Sequence, residues 1–344
     1  MPARAAFPPS PEAPHAAMSA VLHAAPAPSG RSSPVQRTYE PVPGLRERVM
    51  SALMRTSLRL MFKPVIKPPM PVGLQRAVLH TLSVSMPPGG GVKVEHVRIG
   101  NMAAERITPK ATPKPRHAML YLHGGAFCAG SPRSHRSITT RLSRMADCEV
   151  LAIHYRRVPE HPFPAQIEDS VAGYKALLER GYRPEHIAVG GDSAGGTLTL
   201  LVFKALELAG LPTPKCLVMM SPAFDAKLNS DSVKKYKKLD PMINIEWGMQ
   251  GFAWYRPQHD HPLAFPKRQD LSTLPPTLVQ VGEIEVLHDD SVWLLHAAKR
   301  FDRPVELEVY KGRWHVFQIH AGLMPSATQA LARQAAFMKL HWGA

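Results

Sequence analysis

The alternation of apolar and polar positions divides the chain into many short elements. Residues 1–44 show no periodicity. Ala, Pro and Ser dominate, and such sequence buries too little apolar surface to offset its ordering entropy, so a disordered tail is expected. From Leu45 to Phe62 the pattern turns helical. Leu45, Val49 and Leu53, with Met50, Met54 and Met61, recur at helical spacing, and Arg46, Arg48, Arg55 and Arg59 stand between them. This predicts an amphipathic basic helix. Pro64, Pro68, Pro69 and Pro71 stop it, and Leu74 to Val84 predicts a second apolar helix.

Beyond Gly89-Gly90-Gly91 the period changes. Val92 to Ile99 alternates as an edge strand does, and Ala103 to Ile107 fits its hairpin partner. Short apolar runs follow at 118–122, 150–155, 187–189, 217–220, 277–281 and 305–310. Helical patterns at 134–145, 165–180, 197–206, 289–301 and 326–340 separate most of them. Residues 225–270 break this alternation and are expected to be an insertion. The order strand–helix–strand implies an α/β fold with buried parallel strands after an antiparallel start. The expected division is a tail at 1–44, a helical cap segment at 45–88 and an α/β body at 89–344.

Composition narrows the picture. With 344 residues, 44% of them hydrophobic, the chain can bury the core of one α/β domain with insertions. The formal net charge is +15, and residues 1–76 hold ten Lys and Arg against three Asp and Glu, so the N-terminal surface is the basic one. There is no zinc-finger spacing, RNP-type strand signature or basic coiled coil, which argues against nucleic acid. The run Lys234-Lys235-Tyr236-Lys237-Lys238 reads as a solvated face. Cys128, Cys148 and Cys216 are odd in number and none has metal-ligand spacing, so buried free thiols in a reduced, cytoplasmic protein are expected, with no metal or cofactor. No apolar run reaches the ~18 residues that a membrane span requires.

Candidate chemistry gathers at the ends of the predicted strands, where open α/β sheets bind ligands. Gly190-Gly191-Asp192-Ser193-Ala194-Gly195-Gly196 joins a strand to a helix. A serine at the tip of so sharp a turn is exposed as a nucleophile, and the glycines of G-x-S-x-G leave room for the turn. His123-Gly124-Gly125-Ala126-Phe127 follows the strand ending at Leu122. Glycines there let backbone N–H groups face a ligand, and the expected oxyanion donors are Gly124, Gly125 and Ala194; losing one such donor costs ~3 kcal/mol of barrier. A base is expected at His315, after the last strand, ahead of the competitors His288, His296 and His320. A carboxylate after the penultimate strand completes the set, with Glu285 preferred over Glu283, Asp289 and Asp290. Phe127, Trp247, Phe252 and Trp254 either line an apolar pocket or pack the insertion.

Together His123–Phe127, Tyr155–Ala165 (Tyr-Arg-Arg-Val-Pro-Glu-His-Pro-Phe-Pro-Ala) and Gly191–Gly196 resemble, in order and spacing, the motif blocks of the hormone-sensitive-lipase-like family of α/β-hydrolase esterases. The resemblance spans about residues 90 to 340. It implies an eight-stranded, mostly parallel sheet flanked by helices, an N-terminal helical cap, and a serine carboxylesterase acting on small to medium acyl esters through an acyl-enzyme. Lactones and acetyl esters are alternative substrates, and a non-catalytic ligand-binding relative is the alternative class. Two departures stand out. Ala126 occupies the family's third glycine, and Glu285-Val286-Leu287 occupies its Asp-Pro-Leu. A homodimer fits the family. The helices at 45–84 fit two roles, a lid over the catalytic mouth or, through residues 45–62, a peripheral contact with an anionic membrane.

Overall fold

The computed structural model describes residues 33–343. Along the chain come β1 (Val35–Tyr39), α1 (Leu45–Ser57), α2 (Val72–Val84), β2 (Val92–Ile99), β3 (Met102–Pro109), β4 (Ala118–Leu122), α3 (Arg136–Ala146), β5 (Glu149–Ile153), α4 (Ala165–Glu179), β6 (Ile187–Asp192), α5 (Ala194–Leu208), β7 (Cys216–Met220), α6 (Asp231–Tyr236), α7 (Ile245–Tyr255), β8 (Thr277–Gly282), α8 (His288–Lys299), β9 (Val305–Tyr310) and α9 (Pro325–Trp342). The strands form one sheet in the order β1-β9-β8-β7-β6-β4-β5-β3-β2. Among the described residues only the β2–β3 and β3–β5 pairings are antiparallel.

The period of two separates the sheet's faces. In β4, Ala118, Leu120 and Leu122 belong to one core cluster, and Met119 and Tyr121 to the other. The first cluster is completed by α4, α5, α8 and the insertion, the second by α3 and α9. Burial on both faces explains why these strands read as continuous apolar runs.

Among the described residues the sheet has nine strands rather than eight. The additional one, β1, lies in the stretch expected to be disordered. Val35–Tyr39 pairs in parallel with Glu306–Tyr310 of β9, and the Tyr39 ring stacks on Tyr310 at 5.3 Å. Five residues of weak pattern carry no signal alone; the open edge of β9, some 270 positions away in sequence, supplies the backbone partners. Residues 1–32 of the expected tail lie outside the described residues.

The N-terminal helices and the insertion pack on each other. Helix α1 runs on through a π-helical turn, Leu58–Phe62. Phe62 meets Trp247 of α7 edge-on, with ring centroids 6.0 Å apart. Gln75 of α2 accepts a hydrogen bond from Trp247 Nε1 (2.9 Å) and donates to Gln250 (2.9 Å). Glu47, buried in α1, accepts from the backbone and hydroxyl of Ser326 at the start of α9 and pairs with Arg313 at 3.2 Å.

Candidate active site

Five adjacent strands, β9, β8, β7, β6 and β4, each carry one polar element just past their carboxyl ends. In that order these are His315, Glu285, Ser221, Ser193 and the loop from His123. Parallel strands with right-handed crossovers put all these ends on one edge of the sheet, where a ligand meets them together.

Ser193 sits at φ 53°, ψ −120°, between β6 and α5. This is costly backbone for a non-glycine residue, of order 1–3 kcal/mol, and it is kept because the surroundings leave no alternative. Ser193 N–H donates to Met220 of β7 (2.8 Å). A Cβ on Gly195 would lie 1.9 Å from the Leu122 carbonyl, and one on Gly191 2.3 Å from the same oxygen. The glycines of the motif therefore clear the end of β4, against which the turn is pressed.

The loop after β4 differs from expectation at one position. Gly124 is buried, and its N–H donates to Asp192 Oδ1 at 3.0 Å. It is committed to structure and is not an available oxyanion donor. The same Asp192 carboxylate accepts from Tyr121 Oη (2.7 Å) and lies 3.3 Å from His135 Nε2. Burial alone would raise its pKa, but the His135 charge and these hydrogen bonds hold it below the usual carboxylate value. Asp192 thus ties the loop to the serine turn. Among the described residues no acceptor is seen for the N–H groups of Gly125, Ala126 and Ala194. Gly125, Ala126 and Phe127 have φ of 117°, 51° and 59°. Ala126, in place of a glycine, keeps the left-handed conformation.

His315 and Glu285 meet inside the protein. His315 Nδ1 lies 3.5 Å from Glu285 Oε1, and both residues are buried. Glu285 Oε2 accepts from Gly282 N–H (2.8 Å) and Ser221 Oγ (2.9 Å). Ser221 in turn accepts from Val316 N–H (3.2 Å), so it clamps the acid loop to the histidine loop. Burial would lower the His315 pKa; the Glu285 hydrogen bond and charge, then Asp240 and Asp192, outweigh it and raise it. Asp240, from the insertion, is fully buried, and burial raises its pKa. It accepts from the N–H groups of Met242, Ile243 and Val286. Sequence reasoning missed Ser221 and Asp240, since neither stands in a motif.

The competing residues are engaged elsewhere. Glu283 accepts from Gly312 N–H, Asp289 from Ser232 N–H, and Asp290 from Phe224 and Asp225 while pairing with Lys267 at 2.7 Å. His288 opens α8 beside Asp289, His296 is exposed on α8, and His320 is buried against Met86.

Ser193 and Ala194 border an apolar cavity with Ala126, Phe127, Leu228, Trp247, Phe252 and Leu287. Three of the four expected pocket residues are therefore present. Trp254 is not; it lies half-buried, packed on the core. Two wider clefts, about 470 and 620 Å³, share Arg76, His154 and Arg157, and neither includes Ser193, Glu285 or His315. Cys128, Cys148 and Cys216 are buried free thiols, and no group of three metal-ligating side chains occurs among the described residues. No described helix is long and apolar enough to cross a membrane.

Comparison with known proteins agrees with this fold. Residues 119–319 match the family model described as alpha/beta hydrolase fold. An acetyl-hydrolase of Streptomyces hygroscopicus is 37% identical over 263 residues, 76% of this chain and 86% of the relative. An esterase of Acinetobacter venetianus is 34% identical over 294 residues, 85% of this chain and 94% of the relative. A solved esterase from the bacterial hormone-sensitive lipase family superposes with a TM-score of 0.80 at 36% identity, covering 88% of this chain and 100% of that one. The chain therefore belongs to the α/β-hydrolase fold family, as a carboxylic ester hydrolase of the hormone-sensitive-lipase-like group.

Proposed function

We propose that the protein is a serine carboxylesterase working through an acyl-enzyme, with Ser193 as nucleophile, His315 as general base and acid, and Glu285 as the acid that orients it. The observation that carries this is the buried Glu285–His315 pair on the same sheet edge as the left-handed Ser193. His315 takes the Ser193 proton as Oγ attacks the ester carbonyl. The N–H groups of Gly125, Ala126 and Ala194 stabilise the oxyanion, Gly124 being engaged with Asp192. His315 then gives its proton to the leaving alkoxide. Water, deprotonated by the same imidazole, attacks the acyl-enzyme and releases the acid and Ser193.

Short acyl groups fit best. The free space beside Ser193 is about 30 Å³, and one water occupies ~10–15 Å³ on the same measure. Trp247, Phe252, Leu228 and Leu287 line it. The acetyl-hydrolase relative supports the acetyl end of the range. The test is hydrolysis of p-nitrophenyl esters from acetate to octanoate by wild type and Ser193→Ala, with fluorophosphonate labelling of both. Acetate and butyrate should lead, and Ser193→Ala should lose turnover and label together. Turnover retained by Ser193→Ala overturns the mechanism, and a preference for octanoate overturns the substrate class.

A further inference from the structure

Two sequence features have no part in the chemistry above: the basic helix from Leu45 and the lysine run at 234–238. The fold brings them together. One side of α1 faces inward, where Glu47 is buried and Met50, Met54 and Leu58 pack on the core. The other side and the π-turn beyond carry Leu45, Val49, Leu53, Leu60 and Met61, between 52% and 70% exposed. Positions 45, 49, 53 and 60 fall close together on a helical projection, so they form one ridge.

The ridge is bordered by cations. Arg46, Arg48, Arg59 and Lys67 are exposed, and Arg55 and Lys63 are half-buried. The only acid between Leu45 and Lys67 is Glu47, which points inward and pairs with Arg313. Arg59 donates to the Leu239 carbonyl (3.2 Å), and Lys63 donates to the carbonyls of Lys237 (2.6 Å) and Asp240 (2.5 Å). The lysine run is thereby fastened to the end of the ridge. Lys234 pairs with Asp231, and Lys235 lies over the Tyr236 ring. Lys237, Lys238 and Leu239 are exposed, and among the described residues no carboxylate pairs with either lysine.

We infer that residues 45–62 together with Lys237–Leu239 form a docking surface for an anionic phospholipid bilayer. Charge decides between occupants. A second copy meeting this patch about a two-fold axis would set the same arginines and lysines against one another. An anionic bilayer offers phosphates to the cations and an acyl boundary to the ridge, and a helix with this division lies in the interface plane. Each cation near such a surface is worth about a fivefold gain in binding. The surface adjoins the wall of the candidate active site: Asp240, next to Leu239, acts electrostatically on His315, and Ile243 and Trp247 line the cavity at Ser193. Docking would turn that wall toward the lipid.

The test is co-sedimentation of the full chain with vesicles of phosphatidylcholine alone and of phosphatidylcholine mixed with phosphatidylglycerol. Binding should require the anionic lipid and vanish in ~1 M salt, where the screening length falls to ~3 Å. The variant Arg48→Glu/Lys237→Glu/Lys238→Glu should bind at least a hundredfold more weakly, and Leu45→Ser/Val49→Ser/Leu53→Ser at least tenfold. Hydrolysis of soluble p-nitrophenyl acetate should be unchanged in both. Absence of binding, equal binding to both vesicles, or undiminished binding by the charge variant overturns the proposal. So does a dimer, measured by light scattering, that either variant dissolves while leaving sedimentation unchanged. The charge variant alters exposed positions only, so it remains informative if the serine variant fails to fold. Sedimentation is independent of turnover, and failure of the proposed catalytic mechanism leaves this result readable.

Discussion

Replacement of Glu285 by glutamine tests the proposed base most sharply, because the surrounding donors dictate how the amide must sit. One carboxylate oxygen accepts from Gly282 N–H and Ser221 Oγ, and the other faces His315 Nδ1. In Glu285→Gln the amide oxygen stays with Gly282, whose N–H has no other acceptor among the described residues. The amide NH₂ is then turned toward Nδ1, which must accept rather than donate. The ring proton moves to Nε2, and the imidazole can no longer take the proton of Ser193. In the Ser-His-Asp template the same wrong-tautomer fault costs ~10⁴ in kcat, about 5.5 kcal/mol at 1.36 kcal/mol per factor of ten. A fall of that size is expected here, with the protein folded and KM changed little.

The pH profile gives a second readout. The reaction needs neutral His315, whose pKa is raised because the Glu285 hydrogen bond and charge outweigh burial. The acid limb of kcat/KM in the wild type should therefore lie above the ordinary histidine value of ~6.5. In Glu285→Gln that limb should move to lower pH. Stopped-flow or plate-reader rates on p-nitrophenyl acetate across pH 5–9 measure both effects. A variant within tenfold of wild type, with its limb unmoved, refutes the assignment. If Asp240→Asn instead removed three orders of magnitude, the orienting acid would be Asp240.

Two further outcomes follow from contacts at the edge of the site. Arg76 of α2 donates to the carbonyls of Cys128 (2.7 Å) and Val158 (2.9 Å) and pairs with Glu160, so it ties α2 to the loop that begins at His123. Arg76→Gln should lower kcat about ten- to a hundredfold at nearly constant KM, since small misplacements of positioning groups cost that much; an unchanged kcat would show that the loop holds its shape unaided. Glu47→Ala leaves Arg313 buried without its carboxylate and Ser326 without its acceptor. A loss of ~3–5 kcal/mol is expected, as for other broken buried pairs, and urea unfolding within 1 kcal/mol of wild type would contradict it.

Much of this protein could be read locally. Strands buried on both faces are runs of apolar residues, and helices half-buried on a sheet show one apolar stripe, so periodicity alone located β2–β9 and most of the helices to within a few residues. The serine turn was legible because its geometry forbids side chains at Gly191 and Gly195, and a steric prohibition leaves a mark at fixed spacing. His315 and Glu285 could be singled out as candidates because chain order and strand ends restrict the choice, and the fold brings the two within 3.5 Å of each other.

What stayed hidden depends on partners distant in sequence. The strand β1 exists because β9 has a free edge. Gly124 looks like an oxyanion donor until Asp192, 68 positions later, is found accepting its N–H. Ser221 and Asp240 have no motif, and they matter only because sheet order sets β7 between β6 and β8 and folds the insertion over His315. Likewise the basic helix and the lysine run are separate, ordinary segments along the chain. Hydrogen bonds from Arg59 and Lys63 make them a single surface. Local periodicity records which way each residue faces, because burial acts on each position by itself. Which groups meet is decided by strand order and loop packing, and these are properties of the whole fold.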